Sequence, residues 1–489
     1  MKNFIVVNDV SRWPELVPGA EIVEAEAYLT DPIYATAGPV RIYNLCDSYR
    51  YQRLGYYVSL LAEARGHKPV PRARTIEDLQ SPNLVRLLTE TLEELVQHAF
   101  RDDSVESVEW DFYFGLRAGH TEDVLGQQLF QLLKAPLLRA HFERCDNRWQ
   151  IRSARAVAVG ELSSAAMMSV SAAAQQHFLA RNGRGNKQNA PRYEIAILHD
   201  PSEAHPPSNL GALQKFAEAA DTLGMRVELI GRADYGRLSE FDGLFIRDTT
   251  QVNHYTYRFA RQAVAEGLVV IDDPDSILKC SNKVYLAELL AQRSIPAPKT
   301  LVVHRGNLDQ VFPTLGTPCI VKQPDSAFSA GVAKVTNQAE LEAKAEELFG
   351  LSDLFIAQEY LPTDFDWRVG VFDRRVLFVA KYFMAPGHWQ IIKRDAAQQM
   401  QEGATSALSI GEAPNEVIQQ ALRAANSIGD GLYGVDVKQT GGRCYVIEVN
   451  DNPNLDAGNE DGVLKDALYR EVMGVFLKRI EARKRVVVA

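Results

Sequence analysis

The spacing of apolar and polar positions changes several times along the chain, and each change marks an element. Residues 4–7, 21–28 and 40–45 are short β-rich runs, and 51–65 carries a helical period that stops at Gly66. Further on, 107–115 and 148–159 predict strands, whereas 122–133 and the alanine-rich 161–179 predict helices. Residues 181–192 are polar, contain glycine and lack apolar periodicity, which reads as a linker. After it, strands at 193–199, 225–230, 243–246 and 268–271 alternate with helices at 210–223 and 255–266, a pattern that implies a small parallel sheet. Asp272 to Ser276 starts a helix, and 282–292 continues as another. From about residue 296 the pattern becomes strands with hairpin turns plus helices at 338–348 and 414–428, as expected of an α+β half. The predicted fold class is α/β and α+β, with divisions at 1–180, 181–192, 193–280 and 281–485.

Near the C-terminus, two β-rich runs (433–437 and 443–449) flank Thr440-Gly441-Gly442, a hairpin signal. Side chains alternate faces along a strand, so Glu448 and Asn450 point the same way, opposite to Tyr445, Ile447 and Val449. Asp436 likewise points away from Val435 and Val437. The hairpin can therefore gather two carboxylates and an amide oxygen, hard ligands suited to Mg²⁺. A half-buried hairpin with a solvated polar face is the competing reading. Lys322 sits in the otherwise apolar Cys319-Ile320-Val321-Lys322, a costly place for a charge unless an anion offsets it. The loop after it, Asp325 to Val332, consists mostly of small residues able to aim amides and hydroxyls at phosphate oxygens. Lys283, in Ser281-Asn282-Lys283, stands at a helix start, either facing a phosphate or solvated. Arg247 follows a predicted parallel strand, where ligand crevices form. It could bind a substrate carboxylate, or pair with Asp248 or Asp242 at the surface. Asn452 and Asn454 could hydrogen-bond substrate, or serve the turn around Pro453. Lys381, His388, Trp389 and Lys393 are further candidate substrate contacts. His199, His205 and His254 show no metal spacing.

Composition narrows the field. The 489 residues, 46% hydrophobic and 24% charged, suit two to four globular domains. A net charge of −10 argues against an electrostatic grip on nucleic acid. The first residues lack a secretory apolar core, and no run approaches the ~20 apolar residues needed to cross a bilayer. No membrane or nucleic-acid partner is expected, and the expected location is the cytoplasm. The five cysteines are scattered without metal-type spacing, consistent with reduced, structural thiols.

Two further segments complete a sequence of motifs: Phe355-Ile356-Ala357-Gln358-Glu359-Tyr360-Leu361-Pro362, and Asp366-Trp367-Arg368-Val369-Gly370-Val371. With Lys283, Lys322, the small-residue loop and the Asp…Glu-x-Asn hairpin, in this order, the chain resembles the ATP-grasp ligases. Within them it is similar to the RimK-like group, which joins glutamate or similar amino acids to a carboxylate. Tyr43-Asn44-Leu45-Cys46 and the segment from Gly55 to Glu63 resemble the accessory domain preceding some RimK-like ligases. The resemblance implies an ATP-grasp fold preceded by a small parallel α/β domain and an additional N-terminal α/β domain.

By the same resemblance, Lys283 and Lys322 would hold the ATP phosphates, with Ser326, Ser329 and Gly331 in the phosphate loop. Glu359 and Tyr360 would form the hinge strand that meets adenine, and Asp366 would bind ribose. Arg368 would be the catalytic group at the acyl phosphate. Asp436, Glu448 and Asn450 would hold Mg²⁺, expected as two ions, with Mn²⁺ as a substitute. Arg247, Lys381, Asn452 and Asn454 remain the expected substrate contacts. The expected activity is ATP-dependent carboxylate-amine ligation through an acyl phosphate, adding glutamate or another amino acid to a peptide, protein tail or small acid. Oligomerisation is left open. The chain departs from the family in a phosphate loop poorer in glycine. It also lacks an Arg-Ser-Asn-type segment, where Lys381 to Gln390 stands instead. The rival expectations are an ATP-grasp-type kinase and a catalytically inactive nucleotide-binding scaffold.

Overall fold

The computed structural model describes residues 2–486 apart from 14–15, 36, 38–39, 90–91, 102–104, 146–147, 183–190, 326–330 and 395–399. Most of the expected linker 181–192 lies outside the described residues. Two compact units are present, one over 1–190 with 481–489, the other over 191–480.

In the first unit, strands β1 (Lys2–Val7), β2 (Glu21–Glu24), β3 (Val40–Asn44) and β4 (Lys68–Val70) form a parallel sheet in the order β2-β1-β3-β4. The helix Leu54–Ala64 covers it and ends before Gly66, whose φ of 70° lets the chain turn back. A second, antiparallel sheet contains β5 (Ser107–Tyr113), β6 (Leu116–Arg117), β7 (Leu137–Cys145) and β8 (Arg148–Ala156). Two expectations change here. The run 21–28 is a strand only to Glu24, after which Ala25–Thr30 is helical and turns Ala25 and Tyr28 into the core. The central strand β7 escaped the sequence pattern because its charged positions mask the alternation of Leu138, Ala140 and Phe142, all buried.

The second unit begins with the parallel strands β9 (Tyr193–Leu198), β10 (Met225–Ile230), β11 (Gly243–Ile246) and β12 (Val269–Ile271), in the order β10-β9-β11-β12. Every residue of β11 and β12 is buried, the signature of strands covered on both faces. Asn209, Asp273 and Asn282 cap the three helices that start at Leu210, Pro274 and Lys283 by accepting backbone N–H bonds. Phe216 and Phe245 share one apolar core with Leu432, Leu455, Tyr469 and Phe476, so packing is continuous across residue 280.

Next comes an antiparallel sheet of β13 (Thr300–Val303), β14 (Cys319–Lys322), β15 (Val332–Val335) and β16 (Phe355–Glu359), ordered β13-β16-β14-β15. Strands β17 (Phe365–Phe372), β18 (Arg375–Phe383), β19 (Ile392–Arg394), β20 (Met400–Glu402), β21 (Thr405–Leu408), β22 (Leu432–Thr440) and β23 (Arg443–Asp451) follow. Five of them form the sheet β21-β18-β17-β22-β23. One face of this sheet places Trp367, Val369, Val379, Val435 and Val449 in a core with Val417, Ala421 and Ala425 of the helix Asn415–Ile428. By alternation, Asp366, Arg368, Asp436 and Lys438 are left on the other face.

The β22–β23 hairpin closes at Gly441 and Gly442, with φ of 57° and 74°, as a tight two-residue turn requires. Its register corrects the sequence expectation. Asp436 pairs with Glu448 but Val437 pairs with Val446, so Ile447 is the extra residue of a β-bulge. Val446 and Val449 therefore both enter the core, and Ile447 turns to the cleft that Lys283 and Lys322 line.

Candidate active site

Arg368, Asp436 and Glu448 form one row across β17, β22 and β23. The Arg368 guanidinium grips Asp436 with both arms, Nε to Oδ1 at 2.5 Å and Nη2 to Oδ2 at 3.0 Å. Asn450 donates to Asp436 Oδ2 at 3.4 Å. At the end of the row, Lys283 Nζ lies 3.0 Å from Glu448 Oε1. The Asn282 cap fixes the start of the Lys283 helix, and the Lys283 N–H donates to Pro324 O at 2.9 Å, which ties that helix to the end of the Lys322 strand.

A cleft of about 290 Å³ opens beside this row, lined by Lys283, Leu290, Lys322, Ile356, Gln358 and Ile447. Burial pulls the Lys322 ammonium down to about 8, against the opposing pull of Glu448. Burial alone would raise Glu448, yet Lys283 and Lys322 hold its carboxyl below the ordinary range. Asp436 is pushed up by burial, with Arg368 opposing. Two adjacent carboxylates are thus flanked by Arg368 at one end of the row and by Lys283 at the other. Two carboxylates and an amide are too few to form a closed cage, and among the described residues no cluster of three or more His, Cys, Asp or Glu side chains could hold a metal. They fit an ion that draws its remaining ligands from phosphate oxygens and water.

Gly331 stands at the end of the small-residue loop with φ of 65°, and a Cβ there would come within 2.8 Å of Gln323, so only glycine fits. Ser326 and Ser329 lie outside the described residues. Glu359 ends β16 and directs both its N–H and its carboxylate to Lys299, at 3.0 and 2.7 Å. Tyr360 meets Trp389 edge-on, with Lys334 Nζ 5.0 Å over its ring. Asp366 shares the Arg368 face and accepts from Lys438 at 2.6 Å and Thr363 at 3.0 Å. Asn454 is half-buried in the chain beyond the hairpin.

Two placements correct the sequence reading. Lys381 pairs with Trp367 and stacks over Phe365 and Trp367, on the opposite face of the sheet from Arg368. It is Tyr382, pairing with Asp366, that faces the site. Arg247 is not a surface partner of Asp248 or Asp242 but fully buried. It donates to Ser208 at 2.9 Å, Asn452 Oδ1 at 2.7 Å, Pro453 O at 2.8 Å and Pro207 O. Asn452 completes this clasp by donating to Asp248 O at 2.7 Å, with its backbone at φ 48°. Arg247 and Asn452 thus direct these groups to the protein itself.

Sequence reasoning missed Lys438, Gln358, Tyr382 and Glu460. Lys438 could have been found, since it stands two positions past Asp436 on the same strand. Tyr382 and Glu460 could not, because neither the face of β18 nor the turn at Glu460 shows in the pattern.

Residues 25–173 match the RimK-like ATP-grasp N-terminal domain, and 280–465 match the RimK-like ATP-grasp domain. The chain belongs to the RimK-like ATP-grasp family. It is accordingly an enzyme, an ATP-dependent ligase, and the row from Arg368 to Lys283 lies within the matched RimK-like catalytic segment. A probable alpha-L-glutamate ligase of Marinomonas sp. (strain MWYL1) is 24% identical over 289 residues, covering 56% of this chain and 92% of that protein. One of Stutzerimonas stutzeri (strain A1501) is 26% identical over 248 residues, covering 50% and 77%. Among solved structures, the D-alanine–D-alanine ligase of Bacillus anthracis aligns at a TM-score of 0.48 with 16% identity, over 60% of this chain and 99% of that one. A RimK domain ATP-grasp protein of Sphaerobacter thermophilus DSM 20745 aligns at 0.45 with 18% identity, over 57% and 98%. No helix among the described residues is long and apolar enough to cross a membrane.

Proposed function

We propose that this RimK-like ligase activates a carboxylate as an acyl phosphate and passes it to an amine, with glutamate or another amino acid as one substrate. The observation that carries this reading is the row Arg368, Asp436 and Glu448, which meets Lys283 at Glu448, beside a cleft that Lys283 and Lys322 line. The names of the glutamate-ligase relatives support the amino acid.

Each side chain has work suited to its chemistry. Lys283 and Lys322 would meet the phosphates of ATP in the cleft, and the partial burial of Lys322 sharpens its attraction to an anion. Asp436, Glu448 and Asn450 would hold Mg²⁺, whose charge when bound offsets that of the phosphates. A substrate carboxylate oxygen attacks the γ-phosphorus, the bond to the β-phosphate oxygen breaks, and ADP leaves. Arg368 offers its planar fork first to the carboxyl and then to the oxyanion that develops when the amine attacks the acyl carbon. Phosphate departs, the nitrogen loses a proton, and an amide remains. No side-chain nucleophile is required, so positioning and charge carry the rate.

The test is a screen of amino acids and short peptides with ATP and Mg²⁺, reading ADP release and product mass. The expected product weighs the sum of two substrates less one water. A product heavier by one phosphate would overturn ligation in favour of a kinase. ADP release independent of any amine would do so as well.

A further inference from the structure

We propose that Tyr382 and Glu460 are positioning residues that keep Arg368 aimed at the reacting carboxyl when Asp436 turns to the bound metal and nucleotide. The inference rests on the role given to Arg368 above. In the structure Arg368 has two anchors of different kinds. One is the two-armed bond to Asp436. The other is the ring of Tyr382, whose centroid lies 4.7 Å from the guanidinium carbon.

These anchors differ in what they cost the arginine. Asp436 takes up N–H donors of the fork, the same donors a phosphate or carboxylate would need. The aromatic face attracts the cation through its quadrupole and leaves the donors free. A residue that must both stay in place and offer its N–H groups to substrate is better held by a ring than by a carboxylate. Asp436 also belongs to the proposed metal set, so its grip on Arg368 has to loosen on loading.

The ring is itself fixed. Tyr382 donates its hydroxyl to Glu460 Oε1 at 2.5 Å, and Glu460 Oε2 accepts the Asp456 N–H at 2.8 Å. Glu460 is only 3% exposed, an expensive site for a carboxylate, and the hydrogen bonds from Tyr382 and the Asp456 N–H offset that cost. Burial keeps the Tyr382 phenol protonated and therefore a donor. The chain of contacts runs from Arg368 through Tyr382 and Glu460 to Asp456, in the segment that follows Asn450. The same device thus ties the stretch beyond the metal hairpin to the arginine.

The test has two arms on the full-length protein. In the first, arginine labelled at Nε and Cζ is observed by NMR, with the Arg368 signal assigned from Arg368→Lys. The ring current of Tyr382 should shift the Nε–H signal upfield. That shift should persist when Mg²⁺ and a non-hydrolysable ATP analogue are added, survive in Tyr382→Phe and Glu460→Gln, and vanish in Tyr382→Leu. In the second arm, amide formed per ADP released is measured with the substrate pair from the screen. Tyr382→Leu should lower that ratio roughly tenfold with the KM for ATP within about twofold, while Glu460→Gln, which keeps an acceptor for the phenol, stays near wild type and Tyr382→Phe falls between. An Arg368 signal that returns to the position of free arginine on adding the analogue would overturn the proposal. So would a Tyr382→Phe variant as impaired as Tyr382→Leu at equal melting temperature. If the screen finds no substrate pair, the ligase reading fails while the first arm still decides the positioning role.

Discussion

At the scale of single residues, the site is a set of charges held out of water and balanced against one another. Lys322 shows the consequence for pH. Its ammonium is pulled from an ordinary 10.5 down to about 8 by burial. Between those values the unfolded chain keeps a proton that the folded chain has lost. Its contribution to stability is therefore lowest below pH 8 and improves as pH rises toward 10.5. Nucleotide binding should restore the proton, so calorimetry in buffers of different ionisation heat should show uptake at about pH 8.5 and none at about pH 6. Equal proton counts at both would contradict a phosphate role for Lys322. Arg368 and Asp436 are 12% and 11% exposed in their side chains. Asp436→Asn leaves a buried guanidinium without its counter-charge, which should cost about 3 kcal/mol in denaturant unfolding and abolish measurable turnover. Adding Arg368→Met should recover part of the stability and none of the activity.

At the scale of elements, the sheet β21-β18-β17-β22-β23 works because one face is a core and the other is chemistry. Two details make that face usable. The bulge at Ile447 puts an apolar residue beside the cleft without moving Glu448 off the row with Asp436 and Arg368. Gly434 leaves room: a Cβ there would lie 2.7 Å from Pro453 Cβ and 3.1 Å from Arg368 Cδ. Gly434→Ala should therefore displace the arginine, lowering turnover by at least about tenfold while costing about 1–3 kcal/mol of stability. Steady-state kinetics beside thermal melting would separate the two effects, and a variant with normal turnover would show that Arg368 has more freedom than the packing suggests.

At the scale of the second unit as a whole, Arg247 joins two sheets. Its four hydrogen bonds run from the end of β11 to the Pro207 turn and to Asn452 and Pro453, directly after the β22–β23 hairpin. Lysine in its place would keep the charge but lose the planar fork. Arg247→Lys should lower stability by about 3 kcal/mol, measured by denaturant unfolding, and should raise the KM for the amine or acid by distorting the segment after Asn450. A fully stable variant would mean that the clasp is incidental. The first unit holds the matched N-terminal domain in its own packed cores.

The sequence by itself determined the strands and α-helices from residue 193 to 292 almost to the residue, though not the 3₁₀ helix Arg232–Glu240, since buried parallel strands and capped helices announce themselves through local period and caps. It also gave the shared facing of Asp436, Glu448 and Asn450, because a two-residue alternation and a tight glycine turn are properties of neighbours in the chain, whereas Arg368 was named only through the resemblance to the ATP-grasp ligases. Facing was decided only in three dimensions. Which side of β18 meets the site, so that Tyr382 and not Lys381 turns inward, depends on register with β17, a pairing between distant segments. The shift at Ile447 and the burial of Arg247 arise the same way. Local pattern records what a residue prefers beside its neighbours, and the tertiary structure alone decides which distant groups must balance its charge.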